Sequence, residues 1–408
     1  MDKRYLKIIV CLFIALAMGG CVYDFTPDSK KLQGLDKPLL VIEGDIIAGG
    51  TTYVKLGSSK SVLNGVQNED LDFMGATVWV ESDNGMVWNE EIDVDFDGSW
   101  ASETGIPGYA TYKIDTEDLP LDGKYRLCVS VPGRGEYRSA FKSVSISPQI
   151  DSITYSFTED GSGVQFEVST HNDAEEPLYC RWSFTEDWES NSHFLSRLKA
   201  YWDMENNVIK YEDRDEQESK RISRCYSTSD SKDIYIGGTE KLSQNIINKA
   251  RLNTITSSDR RISSLYAINV TQRAMDKEAF KYWEGIKASV SGTGGLFAPM
   301  PNEVRGNIKN DTYPDENVLG YINVSTETHL RKFVYAIDLH LFKMTCNETP
   351  YPDSVWLELY IRGEVPLRYG ETEKGTVNKN EVYWTSPACG DCTTFSNSTR
   401  PDYWPPER

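Results

Sequence analysis

The chain has 408 residues, 43 of them Lys or Arg and 62 Asp or Glu, for a net charge of −19. A surface that acidic repels phosphate backbones, which argues against nucleic acid as a partner. A hydrophobic share of 39% supports packed cores, and the length suits two or three domains.

The first element is a leader. Lys3, Arg4 and Lys7 precede an apolar run from Ile8 to Met18, and Gly19-Gly20 stand directly before Cys21. The run is shorter than the ~20 residues a bilayer core requires, so it fits a cleaved export signal. Small residues against a cysteine resemble a bacterial lipobox, with Met18 where Leu is usual. Residues 1–20 are therefore expected to be a lipoprotein signal peptide, with Cys21 lipidated. Two or more acyl chains would hold the mature N-terminus stably in the outer membrane. Loss of Lys3, Arg4, Lys7 and Asp2 takes the net charge from −19 to −21. Residues 21–37 are polar and aperiodic and read as a tether. Asp24 and Asp28 are similar to the acidic signal that directs Bacteroidota lipoproteins to the cell surface.

A mainly β fold follows. Three hairpin signals lie between 38 and 149. Gly49-Gly50 separates "LLVIEGDI" from "TTYVKLG", and Asp83-Asn84-Gly85 separates "GATVWVES" from "MVWNEE". Pro132 to Gly135 separates "GKYRLCVSV" from "EYRSAFKSVSI". Tyr125, Leu127, Val129 and Val131 alternate with polar neighbours, the period of a strand buried on one face. Residues 38–149 are expected to form an immunoglobulin-like β-sandwich.

Residues 150–408 are expected to form a larger β-rich domain with short helices. "GVQFEVST", "LYCRWSF", "FVYAIDLHLF" and "SVWLELYIRG" read as strands. Trp182 shares an apolar face with Leu178, Cys180 and Phe184, and is core. Residues 190–224 are charged and weakly periodic, and read as helical insertions and loops. Asp276 to Lys287 reads as a helix, with Asp276 as N-cap and Ala279, Phe280, Trp283 and Ile286 on one face.

Four stretches, "GATVWVESDNG", "YWEGIKASVSGTGGLFAPMPNEVRGNI", "PDENVLGYINVS" and the terminal "CGDCT…RPDYW", together resemble a family of Bacteroidota outer-membrane lipoproteins. That family is catalogued as domain of unknown function 4249. The resemblance spans nearly the whole mature chain and is most specific from Trp283 to Val324. It implies a lipid-anchored protein encoded beside TonB-dependent transporters, with a part in nutrient capture. It implies no catalytic or ligand residue.

The residues themselves carry little chemistry. Asp93-Val94-Asp95-Phe96-Asp97-Gly98 begins like a calcium loop, but position twelve is Thr104 and Glu103 misses it by one. Ile92, Val94 and Phe96 alternate with the acids, as in a strand entering an Asp-Gly turn. His171, His193, His329 and His340 lack metal-ligand spacing, and His340 follows Asp338 on a segment that reads as strand. No nucleophile elbow, phosphate loop or dinucleotide fingerprint occurs. No metal, cofactor or catalytic residue is therefore assigned, and the chain is expected to be non-enzymatic. Trp188, Tyr201 and Trp202 sit among charges. Such aromatics can stack on a glycan, anchor a peptide or cover a domain junction. Asp151-Ser152-Ile153 and Asp353-Ser354-Val355 resemble the O-glycosylation acceptor of exported Bacteroidota proteins.

Six of the eight cysteines remain once Cys11 and Cys21 are set aside. In an exported chain they permit disulfides. Cys180 alternates with core residues and reads as a buried thiol. Cys389 and Cys392 form a C-x-x-C, but "TTFSNSTRPDYW" behind it is a poor helix, which argues against a redox-active pair. A four-cysteine zinc site using Cys225 and Cys346 lacks the second C-x-x-C. The family pattern includes cysteines matching Cys225, Cys389 and Cys392. That implies either a clasp of the tail onto Cys225 or a local 389–392 bridge.

The expectation is a non-enzymatic accessory to a TonB-dependent transporter, capturing ligand or docking on the transporter. An adhesion or envelope-structural protein is the second reading and a hydrolase the third. Replacing Cys21 with Ser is expected to release the protein from membranes, read by fractionation; a membrane-bound variant would overturn the lipid anchor.

Overall fold

A computed structural model describes residues 39–58, 75–91, 110–290, 306–341, 344–396 and 398–406. The lipidated Cys21, the tether 21–37 and the calcium-like stretch 93–98 lie outside the described residues.

The chain is mainly β. It opens with β1 (Leu40–Ile47), β2 (Gly50–Ser58), β3 (Thr77–Ser82), β4 (Val87–Glu91), β5 (Ala110–Thr116), β6 (Lys124–Val131), β7 (Gly135–Ser139) and β8 (Lys142–Ser143). The three expected hairpins form at β1–β2, β3–β4 and β6–β7. Gly85 closes the second with φ +91°, a conformation that suits glycine. Period-two patterning decides the inner face: Val78 and Val80 are buried while Thr77 is exposed.

Then follow β9 (Ile150–Phe157), β10 (Gly163–His171), β11 (Tyr179–Asn191), β12 (Leu198–Asp203), β13 (Val208–Asp213), α1 (Glu216–Ser223), β14 (Arg224–Asp230), β15 (Tyr235–Gly238), β16 (Ile246–Thr256), β17 (Leu265–Ala274) and α2 (Lys277–Val290). The last part holds β18 (Ile308–Asn310), β19 (Val318–Leu319), β20 (Asn323–Ser325), β21 (Glu327–Tyr335), α3 (Ala336–Leu339), β22 (Thr349–Pro352), α4 (Trp356–Ile361), β23 (Val365–Glu371), β24 (Val377–Thr385) and α5 (Pro387–Gly390).

The first sheet runs β18-β7-β6-β3-β4-β5-β2-β1-β19, with β20 also on β1 and β8 on β6. β4 pairs with both β3 and β5, so the strands wrap as one nearly closed sheet around a single core. Three of those strands come from residues 308–325, a stretch the sequence reading left in the second block. Their return is tight. At Gly320, where φ is +133°, an added Cβ would lie 2.0 Å from the Ile42 carbonyl oxygen. No side chain fits there, so the glycine is what lets the chain rejoin β1.

The second block is a pair of sheets, β16-β10-β9 and β14-β11-β17-β21 with β15 on β11. They share a core of Val164, Phe166, Cys180, Trp182, Phe184 and Ile268. Cys180 and Cys128 are free and buried, and burial pushes each thiol up to about 12. A third, smaller unit joins the β12–β13 hairpin to β22-β24-β23 and α4. Tyr211 stands at its centre, against Trp356, Tyr369 and Trp384.

Three local readings change. Residues 190–224 contain a hairpin and one helix, α1, closed by a capping box between Asp215 and Glu218. "FVYAIDLHLF" is strand only to Tyr335, then turns as α3, with His340 left-handed at φ 53°. Asp338 and His340 therefore share no strand face. "SVWLELYIRG" is helical, not extended: Trp356 and Leu359 pack inward at helical spacing, and Ile361 is exposed. The helix α2 matches its expectation. Asp276 accepts from the Ala279 amide at 2.7 Å, and Ala279, Phe280 and Trp283 pack inward.

The two blocks meet through charge. Asp45 on β1, buried, accepts from Arg181 on β11. In the sheet register Arg181 is beside Arg273, and Arg273 beside Glu327, with which it ion-pairs. The Arg181 guanidinium stacks 4.2 Å from the Trp283 ring centroid on α2. Asp45→Ala would strand Arg181 in a buried site and is expected to cost about 3 kcal/mol. Chemical denaturation reads this; a loss below about 1 kcal/mol, the range of an exposed pair, would overturn the buried-pair account.

Candidate functional site

One end of the second block carries an open cleft of about 440 Å³. Two loops form it. The first follows β10 after His171; the second links β15 to β16. Because His171 pairs in register with Ile246, the loops start side by side. Asn245 then ties them together. Its Nδ2 donates to the carbonyls of Ala174 at 2.6 Å and Glu176 at 2.8 Å. Its Oδ1 accepts from the Thr239 hydroxyl at 2.7 Å, and that hydroxyl oxygen accepts from the Leu178 amide. Loops held by side-chain hydrogen bonds present a preformed surface.

His171, Asp173, Glu175, Glu240, Leu242 and Gln244 are among the residues around the cleft. The Nδ1 of His171 lies 2.8 and 2.9 Å from the two carboxylate oxygens of Asp151. That hydrogen bond, then the charge of Asp151, raises the imidazole above its usual 6.5. Glu240 is held below the usual carboxylate range, chiefly by its hydrogen bond from Lys277. The lining thus offers hydrogen-bond donors and acceptors beside the exposed Leu242 and Ile246. The lining is more polar and more open than that of a typical small-molecule pocket.

The aromatic candidates are elsewhere. Trp188 is half-buried on β11 and packs against the second core. Tyr201 and Trp202 are half-buried on β12, in the separate β12–β13 sheet. The structure thus places the three on two different sheets, and none of them borders the cleft. The cleft residues are ordinary polar loop residues with no motif. The one signal in the sequence is the polar run after each strand, "HNDAEEP" and "TEKLSQN".

The cysteines resolve into two bridges, Cys225–Cys392 and Cys346–Cys389. The clasp onto Cys225 is present and the local 389–392 bridge is not. Cys346, one of six cysteines open to pairing from sequence but given no partner there, is the second anchor. Beyond the bridges the tail docks on β11. The Tyr403 hydroxyl donates to Asp187 and accepts from Asn269 Nδ2 at 2.8 Å, while Arg331 stacks on its ring. Burial, then the Asp187 hydrogen bond, pushes Tyr403 up to about 12. Trp404 Nε1 donates to Glu189 at 3.3 Å.

Residues 22–331 match the family described as Domain of unknown function (DUF4249). The chain belongs to the DUF4249 family. No curated protein matches its sequence. The DUF4249 match ends inside β21, so it includes the first sheet, the cleft and Cys225, while Cys346, Cys389, Cys392 and the docked Tyr403 lie beyond it.

The His171 pair gives a pH test. Its raised value means that the Asp151 interaction, which joins β9 to β10, adds stability below the unfolded value that is lost as pH rises through the folded one. Asp151→Asn is expected to bring the His171 titration down toward 6.5 by NMR; an unmoved midpoint would overturn the pairing.

Proposed function

We propose that this DUF4249 protein is a lipid-anchored, non-enzymatic accessory of the outer membrane that serves a TonB-dependent nutrient transporter, by capturing a glycan or peptide or by docking on the transporter. The leader before Cys21 supports the anchor, and Asp24 and Asp28 support the outward-facing side. Two disulfides suit an oxidising, exported compartment. The observation that carries the reading is the cleft. Its volume of about 440 Å³ falls in the range of small-ligand sites, and its lining is polar and braced by Asn245.

The most deeply buried acids are committed to packing, which supports a binding role over hydrolysis. Glu186 accepts from Tyr266 at 2.6 Å and from Arg261 at 2.9 Å, while Asp45 and Asp187 are held by Arg181 and Tyr403. Acids saturated by fold contacts are not free to protonate or attack a substrate.

Affinity purification of the lipidated protein from outer membranes is expected to bring a transporter subunit with it; recovery without one would remove the transporter role. Glycan and peptide panels titrated against the wild type are expected to show saturable binding that Asn245→Ala weakens at least ~10-fold, about 1.4 kcal/mol. Binding that the variant leaves unchanged would place the ligand elsewhere.

A further inference from the structure

Cys389 and Cys392 stand three positions apart, yet each is bonded far away in sequence: Cys389 to Cys346, 43 residues off, and Cys392 to Cys225, 167 residues off. Both sit in one compact stretch. Cys389 lies in α5, the Cys389 and Gly390 amides donate to the Ser386 carbonyl, and Cys392 opens the next helical turn under an Asp391 cap. We propose that this C-x-x-C is a disulfide-exchange relay, by which one two-electron reduction releases the tail from both anchors.

The four cysteines differ in exposure. Cys225, Cys389 and Cys392 are buried, whereas Cys346 is half-buried. A dithiol reductant therefore enters at Cys346. Its thiolate attacks the Cys346 sulfur, the 346–389 bond breaks, and Cys389 leaves as a thiolate. The second thiol of the reductant resolves the mixed disulfide, so Cys346 ends as a thiol and the reductant as a disulfide. The Cys389 thiolate then attacks the Cys392 sulfur. The 389–392 bond forms, the 225–392 bond breaks, and Cys225 takes up a proton. Two electrons have entered; one disulfide remains, confined to the tail. The exchange needs no further oxidant, because it moves a disulfide without consuming it.

Release has a structural consequence. The tail covers Tyr226, Leu265 and Phe333 through Tyr403 and Trp404, and Ser398 bridges to Tyr226. With both covalent anchors gone, that cover is held only by noncovalent contacts: the Ser398–Tyr226 bridge, the hydrogen bonds to Asp187, Glu189 and Asn269, the Arg331 stack and the packing of Trp404. The device is independent of the cleft and of the transporter role.

Titration of the mature protein with limiting dithiothreitol, acid quench, alkylation and peptide mapping tests it. The expected partly reduced species carries a 389–392 bridge with Cys225 and Cys346 alkylated. Hydrogen exchange at residues 398–404 should rise at least ~10-fold in that species, as for a segment opening locally. A partly reduced species that keeps Cys225–Cys392, with Cys346 and Cys389 alkylated, overturns the relay. In Cys389→Ser the 225–392 bridge is expected to survive the same reductant. Its loss at the wild-type rate would show direct attack on that bridge and overturn the relay as well. The wild-type mapping decides by itself if the variant does not fold.

Discussion

A carboxylate as buried as Asp45 is stable only beside a cation that stays charged. Arg181 meets it directly and Arg273 stands 3.7 Å away. Arginine suits this place, because its guanidinium keeps its charge when desolvated and can stack flat on Trp283 while donating in its own plane. The consequence runs through the whole chain. Asp45 belongs to the first sheet, Arg181 and Arg273 to the second block, and Trp283 to the helix between them. Around this point Asn323 donates to the Ala274 carbonyl, and Gln272 to Pro148. The blocks are thus fixed by polar contacts that tolerate little sliding, and the returning strands β18 to β20 fasten the same junction through the backbone.

The strand that serves both ends is β11. Its even positions, Cys180, Trp182, Phe184 and Trp188, face the second core. Its odd positions face outward and do different work along the length: Arg181 meets the first block, while Asp187 and Glu189 receive the tail. Period two makes this possible, since one strand can hold a continuous apolar face and a graded polar one. Glu186 keeps the period but places a charge on the core face, where burial and the carboxylate drive Tyr266 well above its usual value. Arg261 supplies the compensating charge.

How much of this was legible follows from the same physics. Period-two stretches such as 77–82 and 163–171 read correctly, because one face is wet and one dry. The α2 helix read correctly because Asp276 caps it and its apolar residues recur at helical spacing. "SVWLELYIRG" misled because alternating apolar residues in a short segment satisfy both periods. Here Pro352 ends the strand and Trp356 with Leu359 select the helix. The return of 308–325 to the first sheet was hidden because β18 to β20 have only two or three residues each, too short for periodicity. Cys346 went unassigned because pairing is set by where the fold brings sulfurs, not by spacing.

The cleft was the least legible part, and the reason bears on how such a protein would bind. Trp188, Tyr201 and Trp202 looked like contact residues because charged residues flank them in sequence, yet Trp188 is spent on the core and Tyr201 and Trp202 stand on β12, away from the cleft. Binding surfaces on β-sandwiches lie on the connecting loops, where backbone groups and short polar side chains converge from separate strands. The register of His171 against Ile246 sets that convergence, and Asn245 holds it with three hydrogen bonds. A site built this way depends on its frame more than on any one side chain. Its ligand identity can therefore change by loop substitution while the sheets, the Asp45–Arg181 junction and the tail clasp stay the same.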